Sequence, residues 1–259
     1  MTLDEKNDTI IVKYSEIGIE NMRTVLITGG SRGIGRAMGE AFSQNGYAVA
    51  FTYKNSENEA KSLAESTGAL AIRADSAIES EVVSAVDAAV RELGHIDCLI
   101  NNAGVSAFSL FTDITAEQWN DMMAVNLTGA FLYSREALKN MISRKSGRII
   151  NVTSVWGLVG SSCEVHYSTA KAGLIGMTKA LAKEVAPSGI TVNAIAPGMI
   201  DTDMNGAFTP DEINGILDEI PVGRIGSPAE VARAALFLAD EGASYVTGDV
   251  LNVSGGYVI

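Results

Sequence analysis

The sequence predicts an α/β protein, a single doubly wound domain built around a seven-stranded parallel sheet. From Thr24 onward, short runs of β-branched and apolar residues alternate with longer segments of helical period, the pattern of repeated βαβ units. A glycine-rich segment follows the first of these runs, where such folds turn from strand to helix. The 259 residues, 47% of them hydrophobic, are enough to bury one large core. One large domain is therefore favoured over two small ones.

The alternation places seven strands and six main helices along the chain. The predicted strands are Val25 to Thr28, Ala48 to Tyr53, Ala69 to Arg73, Ile96 to Asn101, Arg148 to Thr153, Thr191 to Ala196 and Val250 to Val253. The predicted helices cover residues 33–45, 57–66, 78–93, 117–143, 166–186 and 228–239. Crossovers between such strands are right-handed, and ligands gather at the carboxyl ends of the strands.

Two stretches fall outside this alternation. Residues 1–21 join a polar segment to Ile10, Ile11 and Val12 without a clear partner, so we expect a flexible N-terminal tail ahead of a domain over residues 22–259. Residues 197–228 form the longest stretch without strong periodicity, apart from a short helical pattern near 211–217. Because a long loop inside a compact domain is usually functional, residues 199–221 are expected to form a lid.

Composition argues against several classes of function. A formal net charge of −12 and a pI near 4.6 argue against a nucleic-acid partner, since such binding depends on cations that neutralise phosphates. Cys98 and Cys163 lack the spacing of a metal or redox motif, which indicates reduced thiols in a cytoplasmic protein. No apolar run approaches the ~20 residues that cross a bilayer, and no signal peptide is apparent. His95 and His166 lack ligand spacing, so we expect no metal and place both histidines on the surface or in loops.

Two short motifs follow predicted strands. The first is the glycine-rich segment Thr28-Gly29-Gly30-Ser31-Arg32-Gly33-Ile34-Gly35, which opens a predicted helix. Glycines in this position let the backbone approach a pyrophosphate at the helix N-terminus, although the spacing differs from the commoner Gly-x-Gly-x-x-Gly fingerprint. The second motif, after the fourth strand, is Asn101-Asn102-Ala103-Gly104.

A set of polar residues lies downstream of both motifs. Tyr167 and Lys171 are four residues apart in a helical stretch, so both project from one helix face. Such a pair alone is common and usually structural. Ser154 follows a predicted strand, at the end where α/β sites are built, and Asn126 lies in an upstream helix. Because Ser154 and Asn126 accompany this pair, and a glycine turn precedes all four residues, the sequence favours a catalytic site.

In order and spacing, the motifs and the polar set resemble the short-chain dehydrogenase/reductase family, from about Met22 to the C-terminus. The resemblance implies a Rossmann-like fold, one dinucleotide-binding and catalytic domain, and a nicotinamide cofactor. It implies that the catalytic residues are Asn126, Ser154, Tyr167 and Lys171. The cofactor contacts that it implies are Gly29, Ser31, Gly33, Ile34, Gly35, Asp75, Ser76, Asn102, Ala103, Gly104, Tyr167, Lys171, Pro197, Gly198, Ile200 and Thr202.

The end of the second strand indicates which nicotinamide cofactor is bound. A carboxylate there would bind the ribose 2′-hydroxyl, whereas a cation favours the 2′-phosphate. The stretch from Phe51 to Ser56 contains no acidic residue. Lys54 occupies the position where the carboxylate would lie, and Arg32 in the glycine turn can reach the same side. Either cation alone could be a solvated surface residue. Together they favour NADP(H).

The residue types suit carbonyl reduction. Hydride transfer to a carbonyl carbon places negative charge on the oxygen, which a positioned proton donor must relieve. A free tyrosine has a pKa of about 10, so the phenolate of Tyr167 needs stabilisation, which Lys171 and an oxidised nicotinamide ring would supply. The resemblance further implies that Ser154 hydrogen-bonds the substrate oxygen and Lys171 holds the nicotinamide ribose. It gives Asn126 the role of anchoring a water.

Several segments narrow the substrate class. Residues 147–152, 171–178, 197–204 and 221–226 resemble bacterial 3-oxoacyl-acyl-carrier-protein reductases, which implies a small-molecule or carrier-attached carbonyl substrate. Those reductases commonly dock the acidic carrier with two basic positions flanking the active-site entrance. The matching positions here are Lys145, which is retained, and Ser188, which is not a cation. Loss of a cation should slow association with an acidic partner.

Two alternative functions stay open. The segments Ser154-Val155-Trp156-Gly157, Ser162-Cys163-Glu164-Val165 and Tyr167-Ser168 resemble a subgroup of the family that reduces a 5-aminopentanone group on elongation factor P, unless these side chains only pack the substrate loop. A cofactor-binding regulator on the same fold is a second alternative, since fold does not fix function. It is disfavoured because every member of the catalytic set is present.

The family resemblance also implies a homotetramer. The helix predicted near Val165 to Val185 is long and apolar enough to supply a helix–helix interface beside the active site. Its apolar positions could equally serve the internal core of one chain, and they include Leu174, Ile175, Leu181 and Val185.

Overall fold

The computed structural model describes residues 2–4, 9–11, 22–205 and 209–258. The strands are β1 (Thr2–Asp4), β2 (Thr9–Ile11), β3 (Arg23–Ile27), β4 (Tyr47–Tyr53), β5 (Leu70–Arg73), β6 (Cys98–Asn101), β7 (Gly147–Val152), β8 (Ile190–Pro197) and β9 (Val250–Val253). The α-helices are α1 (Gly33–Gln44), α2 (Glu57–Thr67), α3 (Glu79–Leu93), α4 (Ala116–Met123), α5 (Gly129–Arg144), α6 (Val155–Val159), α7 (Val165–Val185), α8 (Pro210–Glu219) and α9 (Pro228–Ala239).

Strands β3 to β9 form a parallel sheet in the order β5-β4-β3-β6-β7-β8-β9. The seven-stranded doubly wound sheet predicted from the sequence is therefore confirmed. The chain winds outward from β3 through β4 to β5, and then returns beside β3 to wind the other way from β6 to β9. Sheets of this kind bind ligands at the carboxyl ends of the strands where the winding reverses. That point lies between β3 and β6.

The structure adds an antiparallel hairpin at one edge of this sheet. Strands β1 and β2 pair with each other, and β2 pairs with β5 through the Thr9–Ile72 and Ile10–Ala71 positions. The sequence predicted no strand there, because these short segments carry no partner signal of their own and use the unpaired edge of β5. Residues 1, 5–8 and 12–21 lie outside the described residues, so the predicted flexible tail and the boundary at residue 22 stay predictions.

The observed helix ends differ from the predicted ones by at most one residue, with one change inside the helix predicted over 117–143. That helix consists of α4, a π-helical segment Ala124–Thr128 and α5. The side-chain amide of Asn126, in this segment, donates to the Met122 carbonyl of α4 at 3.1 Å, and inserted side chains of this kind accompany π-bulges. Helix α6 was not predicted, since five residues are too few to show a helical period.

Alternate residues of the buried strands face opposite sides of the sheet, which divides the core into two layers. On one side, Val25, Ile27 and Phe51 belong to a cluster completed by α1 and α9. On the other side, Leu26 and Leu99 belong to a cluster completed by α3 and α5. Within the described part of the chain, no helix is both long and apolar enough to cross a membrane.

Candidate active site

The glycine turn between β3 and α1 is tied to the end of β6. The hydroxyl oxygen of Thr28 accepts hydrogen bonds from the backbone amides of Asn102 and Ala103, at 3.0 and 2.9 Å. In return, the Asn102 side chain donates to the carbonyls of Thr28 and Gly29, both at 3.0 Å. The sequence analysis gave Thr28 no role in the site. The feature that could have indicated this role is a hydroxyl residue at the last position before the glycine turn.

Three glycines of this turn leave no room for a side chain. A Cβ would lie 2.2 Å from the Gly29 carbonyl oxygen at Gly35, 2.5 Å from the Phe51 Cβ at Gly30, and 2.9 Å from the Ala103 Cα at Gly29. Gly29 also has a φ of +65°, which a side chain disfavours. The first turn of α1 contains no acidic residue. The backbone of this turn can therefore be approached closely, and no carboxylate competes at the helix N-terminus, which fits a dinucleotide pyrophosphate.

Two residues that follow β4 and β5 form an ion pair that the sequence did not reveal. Lys54 Nζ lies 2.6 Å from an Asp75 carboxylate oxygen, and the Lys54 side chain is 59% exposed. Burial pushes the pKa of Asp75 upward, but hydrogen bonds from Lys54 and from the Ala77 amide outweigh it and leave that pKa lowered. The sequence assigned Lys54 to the 2′-phosphate, and the family resemblance implied that Asp75 contacts the cofactor. In the structure these two residues pair with each other, and Arg32 is exposed.

Ser154, Tyr167 and Lys171 come together at the carboxyl end of β7. Ser154 caps α6, accepting a hydrogen bond from the Trp156 amide at 3.1 Å, and its hydroxyl hydrogen-bonds the Tyr167 phenol. Lys171 Nζ lies 5.6 Å from the centre of the Tyr167 ring and donates to the Val152 carbonyl at 3.0 Å. All three side chains of the set are buried. The serine hydroxyl and the phenol therefore converge at one place.

Burial shifts the two titrating groups in opposite directions. Burial raises the pKa of Tyr167 to about 12; the Ser154 hydrogen bond opposes this, and the charge of Glu164 adds to it. Burial lowers the pKa of Lys171 to about 8. The expected stabilisation of the phenolate involves the oxidised nicotinamide ring as well as Lys171, so it stays a prediction for the cofactor-bound site.

Asn126 fixes the loop that follows β6. Its amide donates to the Val105 carbonyl at 2.9 Å, and its oxygen accepts from the Val105 backbone amide at 3.3 Å. A Cβ at Gly104 would lie 2.7 Å from the Asn126 oxygen and 3.3 Å from Lys171 Nζ. Gly104 therefore connects the glycine-turn half of the site to the catalytic half.

A buried polar network supports the floor of the site. Asn101 donates to Ser134 at 2.9 Å and to Asn151 at 2.8 Å, and Asn151 donates to Thr178 at 2.8 Å. These residues come from β6, α5, β7 and α7. Because buried amides lose free energy when unpaired, the network fixes how these elements pack.

Four of the implied cofactor contacts lie at the end of β8 or just after it: Pro197, Gly198, Ile200 and Thr202. The Gly198 amide donates to the Val253 carbonyl at 3.0 Å, and Ile200 is buried and forms a bridge with Gly226. The Thr202 methyl lies 3.4 Å from the position of a Cβ on Gly33, so this segment reaches the glycine turn. The predicted lid over 199–221 contains a short 3-10 turn at Asp203–Asn205 and α8. Residues 206–208 of it lie outside the described residues.

Two placements differ from expectation. His166 is 1% exposed inside α7, so its predicted surface or loop position is wrong, whereas His95 lies in the loop before β6 and contacts Asp97 at 3.0 Å. Lys145 and Ser188 do not flank the entrance in one chain. Lys145 precedes β7, and a Cβ at Gly189, just before β8, would lie 2.6 Å from the Lys145 carbonyl oxygen. Both positions lie at the amino edge of the sheet, opposite Ser154.

The fold and the site together define a nicotinamide-dependent oxidoreductase. A family model described as Enoyl-(Acyl carrier protein) reductase matches residues 29–258. The chain belongs to the short-chain dehydrogenase/reductase family. A solved structure, a phenylalanine-to-leucine double mutant of a Serratia marcescens short-chain dehydrogenase/reductase, is similar with a TM-score of 0.85 and 34% identity, over 91% of this chain and 97% of that one.

Three curated relatives are equally similar in sequence. The chain is 42% identical over 240 residues to the 3-oxoacyl-(acyl-carrier-protein) reductase FabG of Escherichia coli (strain K12), covering 90% of this chain and 96% of that protein. It is 42% identical over 235 residues to an acetoacetyl-CoA reductase of Rhizobium meliloti (strain 1021), covering 90% and 98%. It is also 42% identical over 239 residues to the uncharacterized oxidoreductase YmfI of Bacillus subtilis (strain 168), covering 91% and 98%.

Proposed function

We propose that this protein reduces the 3-oxo group of an acyl thioester to a hydroxyl with NADPH, in the cytoplasm and as a homotetramer. The observation that carries the proposal is the convergence of the Ser154 hydroxyl and the Tyr167 phenol beside Lys171, next to a glycine turn that fits a dinucleotide. The FabG and acetoacetyl-CoA reductase relatives support a 3-oxoacyl substrate. The two free cysteines, one of them buried, are consistent with a reducing compartment.

Each polar residue has a role in this proposal. When bound, the reduced nicotinamide supplies the hydride. Ser154 donates a hydrogen bond to the carbonyl oxygen, and Tyr167 donates a proton to the same oxygen as negative charge develops there. With its pKa raised to about 12, Tyr167 is protonated at neutral pH and ready to act as the acid. Lys171 holds the nicotinamide ribose, and Asn126 anchors a water on the way from Lys171 to solvent.

The preference for NADPH rests on Arg32 and Lys54. Because Asp75 already pairs with Lys54, the net positive charge facing a 2′-phosphate depends on both cations. We expect Lys54→Ala to weaken NADPH binding about tenfold and NADH binding by less than about twofold, since only NADPH carries the extra phosphate. Asp75→Asn is the matched control: it frees Lys54 and should not weaken NADPH relative to NADH. Equal losses for both cofactors in Lys54→Ala would mean that Lys54 does not contact the phosphate.

The substrate proposal is tested by NADPH oxidation with acetoacetyl-CoA, a carrier-bound 3-oxoacyl thioester and simple ketones, including 5-amino-2-pentanone. Turnover of the thioesters by the wild type, lost in Tyr167→Phe, is expected. Turnover of the aminoketone alone would favour the elongation factor P alternative, which remains a prediction without specific support from the relatives above. NADPH binding without turnover of any carbonyl would favour a regulator.

A further inference from the structure

Two aromatic side chains outside the proposed chemistry meet beside the site. Trp156 lies in α6, and Tyr257 lies in the C-terminal segment after β9. Their ring centroids are 5.5 Å apart with an interplanar angle of 68°, the edge-to-face arrangement that aromatic pairs prefer. Both residues are only partly buried. The pair is therefore a surface feature and not part of either core layer.

Trp156 belongs to the turn that presents Ser154. Its backbone amide donates to the Ser154 hydroxyl oxygen at 3.1 Å, so the position of the indole and that of the hydroxyl are set by the same turn. A substrate whose carbonyl oxygen contacts Ser154 lies beside this turn. One of the two substituents on the reacting carbon can therefore reach α6.

Tyr257 is held by the end of the lid. Its amide donates to the Ser254 carbonyl at 3.2 Å, and its hydroxyl hydrogen-bonds Glu219, the last residue of α8. The preceding residue, Gly256, packs on Pro221, with 3.0 Å from an added Cβ to the proline ring. Tyr257 thus joins the C-terminal segment, the end of the lid and the turn after Ser154.

The surroundings of the pair are apolar. Helix α6 and the segment after α8 expose three further aliphatic side chains, which are Leu158, Val159 and Val222. The carboxylate of Glu219 interacts with the phenol hydroxyl and is exposed, so one negative charge lies beside these apolar side chains. A surface of this composition favours an aliphatic group over an anionic one.

We infer that Trp156 and Tyr257 form the wall of a subsite for the aliphatic chain beyond the 3-oxo group, and that they determine the chain length the enzyme accepts. The inference rests on the proposed function. A short acetoacetyl group ends before it can fill such a wall, whereas a chain of ten carbons would lie along both rings. The wall should therefore contribute to the binding of long substrates only.

The test compares acetoacetyl-CoA with 3-oxodecanoyl-CoA in Tyr257→Ala, with Tyr257→Phe as the matched control that keeps the ring and loses the Glu219 hydrogen bond. We expect kcat/KM of Tyr257→Ala to fall about tenfold or more on the decanoyl substrate, mainly through KM, and to change by less than about threefold on acetoacetyl-CoA. Tyr257→Phe should retain the wild-type ratio of the two. The Kd for NADPH should be unchanged in both variants.

Trp156→Leu provides a second test from the other side of the pair and should lower the same ratio. Equal losses on both substrates in Tyr257→Ala would show a merely structural role and overturn the inference, while the proposed function would stand. Failure of the wild type to reduce either thioester would overturn the proposed function and the inference with it.

Discussion

Desolvation governs the two titrating residues of the site before any ligand binds. Tyr167 and Lys171 are both buried, and each is pushed toward its neutral form. A neutral phenol suits proton donation to a carbonyl oxygen, whereas a neutral amine would hold the ribose hydroxyls less strongly than an ammonium. Their charge states in the working enzyme consequently depend on the other groups that enter the site.

Removal of the phenol hydroxyl tests its role directly. Tyr167→Phe keeps the ring and the packing but removes the proton donor, so we expect kcat to fall at least about a hundredfold while NADPH binding stays nearly intact. Steady-state kinetics and cofactor fluorescence measure the two properties. Retention of more than about a tenth of the wild-type kcat, a loss of less than about 1.4 kcal/mol, would contradict the role of general acid.

Lys171 should make stability depend on pH. Its pKa falls from 10.5 unfolded to about 8 folded, so the folded chain bears the cost of a buried charge below pH 8 and loses that cost as pH rises through this window. We expect Lys171→Met to increase the free energy of unfolding by about 2 kcal/mol more at pH 7 than at pH 10, because the methionine carries no charge. Urea unfolding of both proteins without cofactor measures the difference. The same difference at both pH values would show that Lys171 is not desolvated as described.

At the scale of elements, the β3–α1 turn and the end of β6 depend on Thr28. Thr28→Val keeps the shape but leaves the Asn102 and Ala103 amides without their acceptor. We expect the free energy of unfolding to fall by about 2–3 kcal/mol, since unsatisfied buried donors cost about 1–3 kcal/mol each. Thr28→Ser keeps the hydroxyl and is the matched control in urea unfolding. A valine variant as stable as the serine variant would remove Thr28 from this role.

The alternation of β-branched and helical segments predicted the seven parallel strands and the ends of the six main helices, because both faces of a parallel sheet must be covered. The meeting of Ser154, Tyr167 and Lys171 was also predicted, from the strand end, the four-residue spacing and the family resemblance, and their catalytic role stays a prediction. The π-helical segment at Asn126 and the Lys54–Asp75 ion pair were not readable. Both depend on contacts between residues whose meeting is set by packing and not by local sequence.

At the scale of the whole molecule, α7 packs inside the chain, and a different helix exposes apolar side chains to a partner. Leu174, Ile175 and Val185 are buried in the chain itself, and Leu181 packs against the core, so these positions serve the internal alternative. Two apolar side chains are instead exposed on α5, and the Arg135 guanidinium lies over the ring of one of them, Phe131, at 5.5 Å. Phe131 and Ile142, each 47% exposed, lie three turns apart on one face of that helix.

We therefore expect Phe131→Glu to disrupt the proposed homotetramer, because it places a charge in an apolar contact. Light scattering should give a mass near four times the 27.2 kDa of one chain for the wild type and a smaller mass for the variant. Phe131→Leu keeps an apolar side chain and should remain assembled. A wild-type mass near that of a single chain would rule out the oligomer under the conditions tested.

The position of Lys145 and Ser188 at the amino edge separates two properties that are often linked in enzymes. Strand β7 has six residues and so spans about 20 Å, more than twice the ~8 Å over which exposed charges act at physiological ionic strength. A substitution such as Ser188→Arg should consequently alter how quickly an acidic carrier is encountered without changing the proton chemistry at Tyr167. Partner choice and reaction chemistry are independent variables in this architecture, so either can be engineered or can diverge while the other is held constant.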